Sequence, residues 1–210
     1  ARIAGAVLLE RVDEVVELGA NTGSVGPTTV QSGASMTTFL GTINGGLTAA
    51  GGTVDVVGTV NGGLQLQAGT LANHGTISGT FNLSTNVTLV NNPSANLNVI
   101  LPWSIPTNSV LVNNGTIKQS GPTGGNLGLT VIGELKGVGV ITQFGTNTAP
   151  DVRVTMGSGS TLTIGNAAGE ITNMTIAVRL DLLAGSTTTF DVDNAALLND
   201  KIILTDTAGV

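Results

Sequence analysis

The amino-acid sequence predicts an all-β fold in which short strands stack as successive turns of a parallel coil, a β-solenoid. The phrase Gly41-Thr42-Ile43-Asn44-Gly45 returns as Gly58-Thr59-Val60-Asn61-Gly62 and as Gly75-Thr76-Ile77-Ser78-Gly79, 17 residues apart each time. A fixed period of this kind marks a stacked repeat, because a single unit cannot bury its apolar side chains alone. Between the phrases lie only short β-forming pieces punctuated by Gly-Gly pairs. Composition agrees: of 210 residues 31 are Gly, none is Cys or Tyr, and 10% are charged, against about 25% in an ordinary soluble domain. From Leu18 to Ile117 the only ionisable side chains are Asp55 and His74, so that surface consists of Thr, Ser, Asn and Gly.

The first twenty residues differ from the rest, with six charges at Arg2, Glu10, Arg11, Asp13, Glu14 and Glu17. Their apolar residues fit helical spacing, and Val12 to Val15 also allow strands. A charged amphipathic segment here predicts an N-terminal cap or assembly segment over residues 1–20, since the end of a strand stack exposes unpaired backbone and core. The alternative is a further turn with an ordinary charged face. Residues 21–210 are then the solenoid, opening with irregular coils to Phe39.

Within the regular section the turn from Gly41 to Val57 divides into strands around Thr42-Ile43, Leu47-Thr48-Ala49 and Thr53 to Val57. The next turn repeats the plan at Thr59-Val60, Leu64-Gln65-Leu66 and Thr70-Leu71-Ala72. Three strands per turn predict a roughly triangular rung of about 17 residues. Strands spaced about 4.8 Å apart bring equivalent positions over one another. Ile43, Val60 and Ile77 then form one inward ladder and Leu47, Leu64 and Phe81 a second, with Thr42, Thr59 and Thr76 along the outside. Gly45, Gly62 and Gly79 fall at a corner that requires positive φ or close backbone approach.

Beyond Val87 the register loosens. Pro93, Pro102 and Pro106 with the lone Trp103 predict a loop insertion near 92–109, in which Trp103 either anchors the loop on the core or lies exposed for a sugar. A second loop is expected near 120–126. Between them Asn113-Asn114-Gly115-Thr116-Ile117 echoes Asn73-His74-Gly75-Thr76-Ile77.

The phrase carried by Leu135, Gly137, Gly139, Ile141, Thr142 and Gly145 resembles the β-strand repeats of secreted autotransporter passengers and related bacterial adhesins. The Asn-x-Gly-Thr-Ile phrases resemble haemagglutinin-type adhesin coils. The stretch from Leu180 through Ser186, Thr187 to Val192 and Asp200 to Leu204 is similar in the same sense. The resemblance implies a right-handed parallel β-helix exported to the bacterial cell surface, and brings no catalytic residues with it.

The chemistry of the side chains narrows the function classes. A net charge of −6, a pI near 4.4 and four Phe with one Trp leave no basic, aromatic surface for nucleic acid. No run reaches the ~20 apolar residues of a membrane helix, and the Tyr and Trp girdles of a membrane barrel are absent, so no membrane insertion of this segment is expected. Hydrolysis of a glycan wants two carboxyls about 5 to 9.5 Å apart, and a lyase wants clustered acids with a cationic base. The acidic cluster is Asp191, Asp193, Asp200 and Asp206. Asp191 and Asp193 flank Val192, so on a strand they share the outer side with Phe190 and Val192 inward. That pair is the candidate metal site, for Ca²⁺ with Asn194 or Asn199 as helpers, and a solvated outer face is the competing reading. His74 stands alone in a turn.

No cofactor and no catalysis are therefore expected. The reading is an extracellular structural or adhesive protein: a rigid rod acting as a surface adhesin or as a self-assembling fibre subunit. Its expected partners are another copy stacked end to end, or the continuation of a longer solenoid, together with a glycan or other cell-surface ligand. The alternatives are a carbohydrate-active β-helix enzyme and a passive glycan- or ice-binding face built on the outer Thr ladder.

Overall fold

A computed structural model describes residues 7–9, 23–38, 41–121, 128–143, 152–193, 195–196 and 198–205. Of the segment 1–20 only Val7–Leu9 is described, as a strand parallel to Thr28–Val30. The rest of the expected cap, Phe39, residues 122–126 of the loop expected near 120–126, Gly145, Asn194, Asp206 and 207–210 lie outside the described residues.

All described regular structure is β, and with one exception every strand pair is parallel, giving stacked sheets of the β-solenoid kind. The chain visits three faces in cyclic order. The first face runs from Ser24–Val25 through Thr42–Asn44, Thr59–Asn61, the start of Thr76–Leu83, Asn96–Ile100, Thr116–Ser120, Val140–Gln143 and Asn173–Ala177 to Lys201–Leu204. The third face is an unbroken sheet of eight strands from Ser35–Thr38 to Thr187–Thr189. The second face comes in two parts. Val7–Leu9, Thr28–Val30, Leu47–Ala49, Leu64–Leu66 and the end of Thr76–Leu83 form the first part. Trp103–Ile105, Gly128–Val131, Arg153–Met156 and Arg179–Leu182 form the second.

The register explains why such short strands hold. Ile43 pairs with Val60 and Val60 with Ile77, and all three are fully buried. The same inward column continues through Leu97, Ile117, Ile141 and Ile176. Leu47, Leu64 and Phe81 stand in register on the second face and are buried as well. Burying each such side chain contributes about 1.5–3 kcal/mol, and each is covered by the equivalent residue of the next strand, so no strand folds alone. Gly45, Gly62 and Gly79 have φ of +95°, +104° and +130° at the corner between first and second faces.

One corner carries a polar device inside the coil. Asn73, Asn91 and Asn113 are fully buried at the ends of successive third-face strands. Asn73 Nδ2 donates to Asn91 Oδ1 at 3.0 Å, and Asn91 Nδ2 donates to Asn113 Oδ1 at 2.8 Å. Each amide also donates to a backbone carbonyl of the following first-face strand: Asn73 to Asn96 at 3.1 Å, Asn91 to Thr116 at 3.3 Å and Asn113 to Val140 at 3.2 Å. The ladder thereby pairs the buried amides with one another and gives each of these carbonyls a second donor beside the backbone N–H it receives in the parallel sheet.

The insertion expected near 92–109 is corrected. It holds two strands, Asn96–Ile100 and Trp103–Ile105, in register with their neighbours on the first and second faces. Leu97 and Val99 alternate inward against outward Asn96 and Asn98, so the local pattern keeps strand period while the prolines occupy the corners. Trp103 is 4% exposed and meets Phe81 edge-on, with ring centroids 5.5 Å apart.

Candidate functional site

The outer surface of the first face is a regular, uncharged array. Thr42, Thr59 and Thr76 stand in register, half-buried, and the column continues through Asn96 and Thr116. Two residues along each strand runs a parallel column of Asn44, Asn61, Ser78 and Asn98. Within it Asn61 Nδ2 donates to Asn44 Oδ1 at 3.3 Å and Asn98 Nδ2 to Ser78 Oγ at 3.1 Å. This array can offer hydroxyls and amides at strand spacing, about 4.8 Å, with no ionisable outward residue before Lys118.

The placement of Phe190 and Val192 is corrected. They are 45% and 63% exposed, not inward. Val192–Asp193 pairs antiparallel with Leu198–Asn199 as a two-residue ribbon apart from the parallel sheets, so neither of its sides has a core beneath it. The two candidate carboxylates do not converge on a shared ligand position. Asp191 Oδ2 accepts from Gly169 N at 2.7 Å, whereas Asp193 Oδ1 accepts from Ala195 N and Ala196 N at 2.9 and 3.0 Å, closing its own turn. Asn199 Nδ2 is turned to the Asp200 carbonyl at 2.8 Å. Among the described residues no group of three or more His, Cys, Asp or Glu is arranged to hold a metal ion.

Asp200 has the clearest structural role of the acids. It is 2% exposed, and its two oxygens accept from Thr172 N at 2.8 Å and Asp191 N at 2.7 Å. Asp200→Ala leaves both amides without an acceptor and is expected to cost about 2–6 kcal/mol, from 1–3 kcal/mol for each of the two orphaned groups. Urea unfolding monitored by circular dichroism checks this, with the exposed Asp193→Ala expected within about 1 kcal/mol of the parent. Asp181 is likewise engaged, receiving Arg153 Nη1 at 3.1 Å and Arg179 Nε at 2.7 Å. His74 is solvent-exposed with Asn92 Nδ2 3.2 Å from its Nε2.

Sequence reasoning missed that Asp191 shares a cleft of about 150 Å³ with Glu134, Lys136 and Thr163 on the third face. Thr163 Oγ1 donates to Glu134 Oε1 at 3.4 Å. The alternation Glu134-Leu135-Lys136 already places both charges on the outer side. That Asp191 arrives beside them depends on the Lys136, Thr163, Thr189 register, and the lengths of the intervening turns hide that register in the sequence.

No helix among the described residues is long and apolar enough to cross a membrane. No family model matches the chain, and no curated protein or solved structure matches it either.

Proposed function

We propose that this chain is a non-catalytic, extracellular structural and adhesive protein of a bacterial surface. It is a rigid, right-handed, roughly triangular solenoid with turns near 17 residues in its most regular part, acting as a surface adhesin or fibre subunit. The observation that carries the reading is the continuity of the parallel ladders along the first and third faces, which links every turn to the next by main-chain hydrogen bonds. Such a stack resists bending because each strand is held on both edges. The engagement of Asp181, Asp191, Asp193 and Asp200 in structural bonds supports a non-catalytic role.

Partners follow from the same geometry. Leu182 and Leu204 continue inward columns yet are 52% and 60% exposed. Together with the strand edges beside them they suit further parallel strands, supplied by another copy end to end or by a longer solenoid.

Nitroxide pairs test the rod. From Thr42, labels at Thr116 and Thr175 lie four and six strands away along one column, which at about 4.8 Å per strand predicts roughly 19 and 29 Å. Separations that fail to grow linearly along the column would sink the rod. Release of sugar from acidic polysaccharides would replace the non-catalytic reading with the carbohydrate-active one.

A further inference from the structure

The second face contains a seam that neither other face has. Its hydrogen-bonded ladder stops at the end of Thr76–Leu83 and restarts at Trp103–Ile105, and the two strands exchange no backbone hydrogen bond. Ser84 N donates to Leu66 O at 2.8 Å, so by the two-residue alternation of a parallel ladder the main-chain groups of Phe81 and Leu83 point away from Leu64–Leu66 and into the seam. Ile132 N donates to Ile105 O at 2.8 Å on the far side, which turns the main-chain groups of Ser104 back toward the same seam. The Trp103 indole N–H is also buried without an acceptor. Above the seam lies a cleft of about 250 Å³.

We infer that this cleft binds one ring of an uncharged sugar. The exposed side chains of Asn82, Ser104 and Thr130 supply amide and hydroxyl groups along its rim, and Leu83 and Pro102 supply apolar surface. Alternating hydroxyl-complementary and apolar surface suits a pyranose, which presents hydroxyls at its edge and C–H groups on its face. Among the described residues no ionisable side chain lines the cleft, so none of them compensates a charged ligand for lost hydration. An inserted peptide strand is the wrong size: it needs its neighbours about twice 4.8 Å apart, and the Phe81 and Trp103 rings close the seam with centroids 5.5 Å apart. The inference goes beyond the rod reading and does not depend on it; a rod without this site and this site on a different shape are separate outcomes.

Trp103 is the single tryptophan of the chain, so its emission reports on the seam directly. Titration of the full chain with D-glucose, D-galactose, D-mannose and N-acetylglucosamine is expected to give a saturable change in emission for at least one of them. Asn82→Ala is expected to weaken binding at least threefold, and Ser104→Leu, which fills the cleft, at least tenfold. Gln65→Ala, one strand away on the same face, should leave binding unchanged. Circular dichroism accompanies each variant; should Ser104→Leu fail to fold, Thr130→Leu replaces it. The proposal is overturned by a folded protein with no saturable response to any neutral sugar up to about 100 mM. It is also overturned by a response that the cleft variants leave intact, or by gluconate or glucosamine binding as well as the neutral sugars.

Discussion

Replacing Asn91 by leucine should remove about 3–5 kcal/mol of stability, lowering the thermal midpoint by roughly 10 °C at 2–4 °C per kcal/mol for a chain of this size. The side chain is fully buried, accepts from Asn73 and donates to both Asn113 Oδ1 and the Thr116 carbonyl. Leucine is close in volume, so the loss is one of hydrogen bonds and not of packing. It leaves the Asn113 Oδ1 acceptor without its donor and the Asn73 amide without its side-chain acceptor, at about 1–3 kcal/mol apiece. Because the amides polarise one another along the ladder, Asn91→Leu and Asn113→Leu should be non-additive in a double-mutant cycle by about 1 kcal/mol or more. Asn61→Ala, which loses only an exposed 3.3 Å bond to Asn44, is the control, expected within about 0.5 kcal/mol of the parent. An Asn91→Leu protein as stable as the parent in urea would dismiss the ladder as a stabilising element.

Gly62→Ala should be at least as damaging. At φ +104° an added Cβ would lie 2.7 Å from Gly46 N and 2.8 Å from the Gly45 carbonyl carbon, both backbone atoms of the turn below. Neither can move without opening the bonds by which Gly45 N and Gly46 N reach the Asn61 carbonyl, at 2.9 and 2.8 Å. Backbone strain of about 1–3 kcal/mol therefore adds to a clash that separates two turns. Gly159→Ala isolates the first term, since Gly159 has φ +80° with nothing within 4 Å of its added Cβ. The expected ordering is a Gly159 variant that folds with a loss of about 1–2 kcal/mol and a Gly62 variant that loses more than twice as much. Equal losses would mean that close approach of the turns costs nothing.

These two sites also mark where the sequence is readable. The corner glycines and the Ile43, Val60, Ile77 column are legible because their turns are equal in length, so the positions that stack are the positions that repeat. The asparagine ladder obeys the same stacking rule, but Asn73, Asn91 and Asn113 are 18 and 22 positions apart. Unequal spacing hides the column, and Asn in an Asn-x-Gly phrase reads as a turn residue. At 92–109 the prolines dominate the local pattern, while the alternation of Leu97 and Val99 with Asn96 and Asn98 is what decides the structure. Around Asp191 the failure has another origin. Alternation predicts facing only where a sheet lies beneath the strand, and the Val192–Asp193 ribbon has none. The cleft with Glu134 and Lys136 is hidden for the reason the ladder is, since its members meet only through the stacking of turns of different lengths.

The first-face column has a consequence for how such a protein diversifies. From Ile43 to Ile77 the column advances 17 positions per turn, then 20 to Leu97 and 20 to Ile117, 24 to Ile141 and 35 to Ile176, while the strand pairing stays in register throughout. Chain length per turn and the fit of the core are thus independent variables. Residues can be added or exchanged in a connection without shifting any buried side chain relative to its neighbour above, so selection acting on what the connections touch need not disturb what keeps the molecule folded. The same independence makes the long connections, such as the one from Gly165 to Thr172 between Thr161–Ile164 and Asn173–Ala177, the natural places to graft foreign peptides.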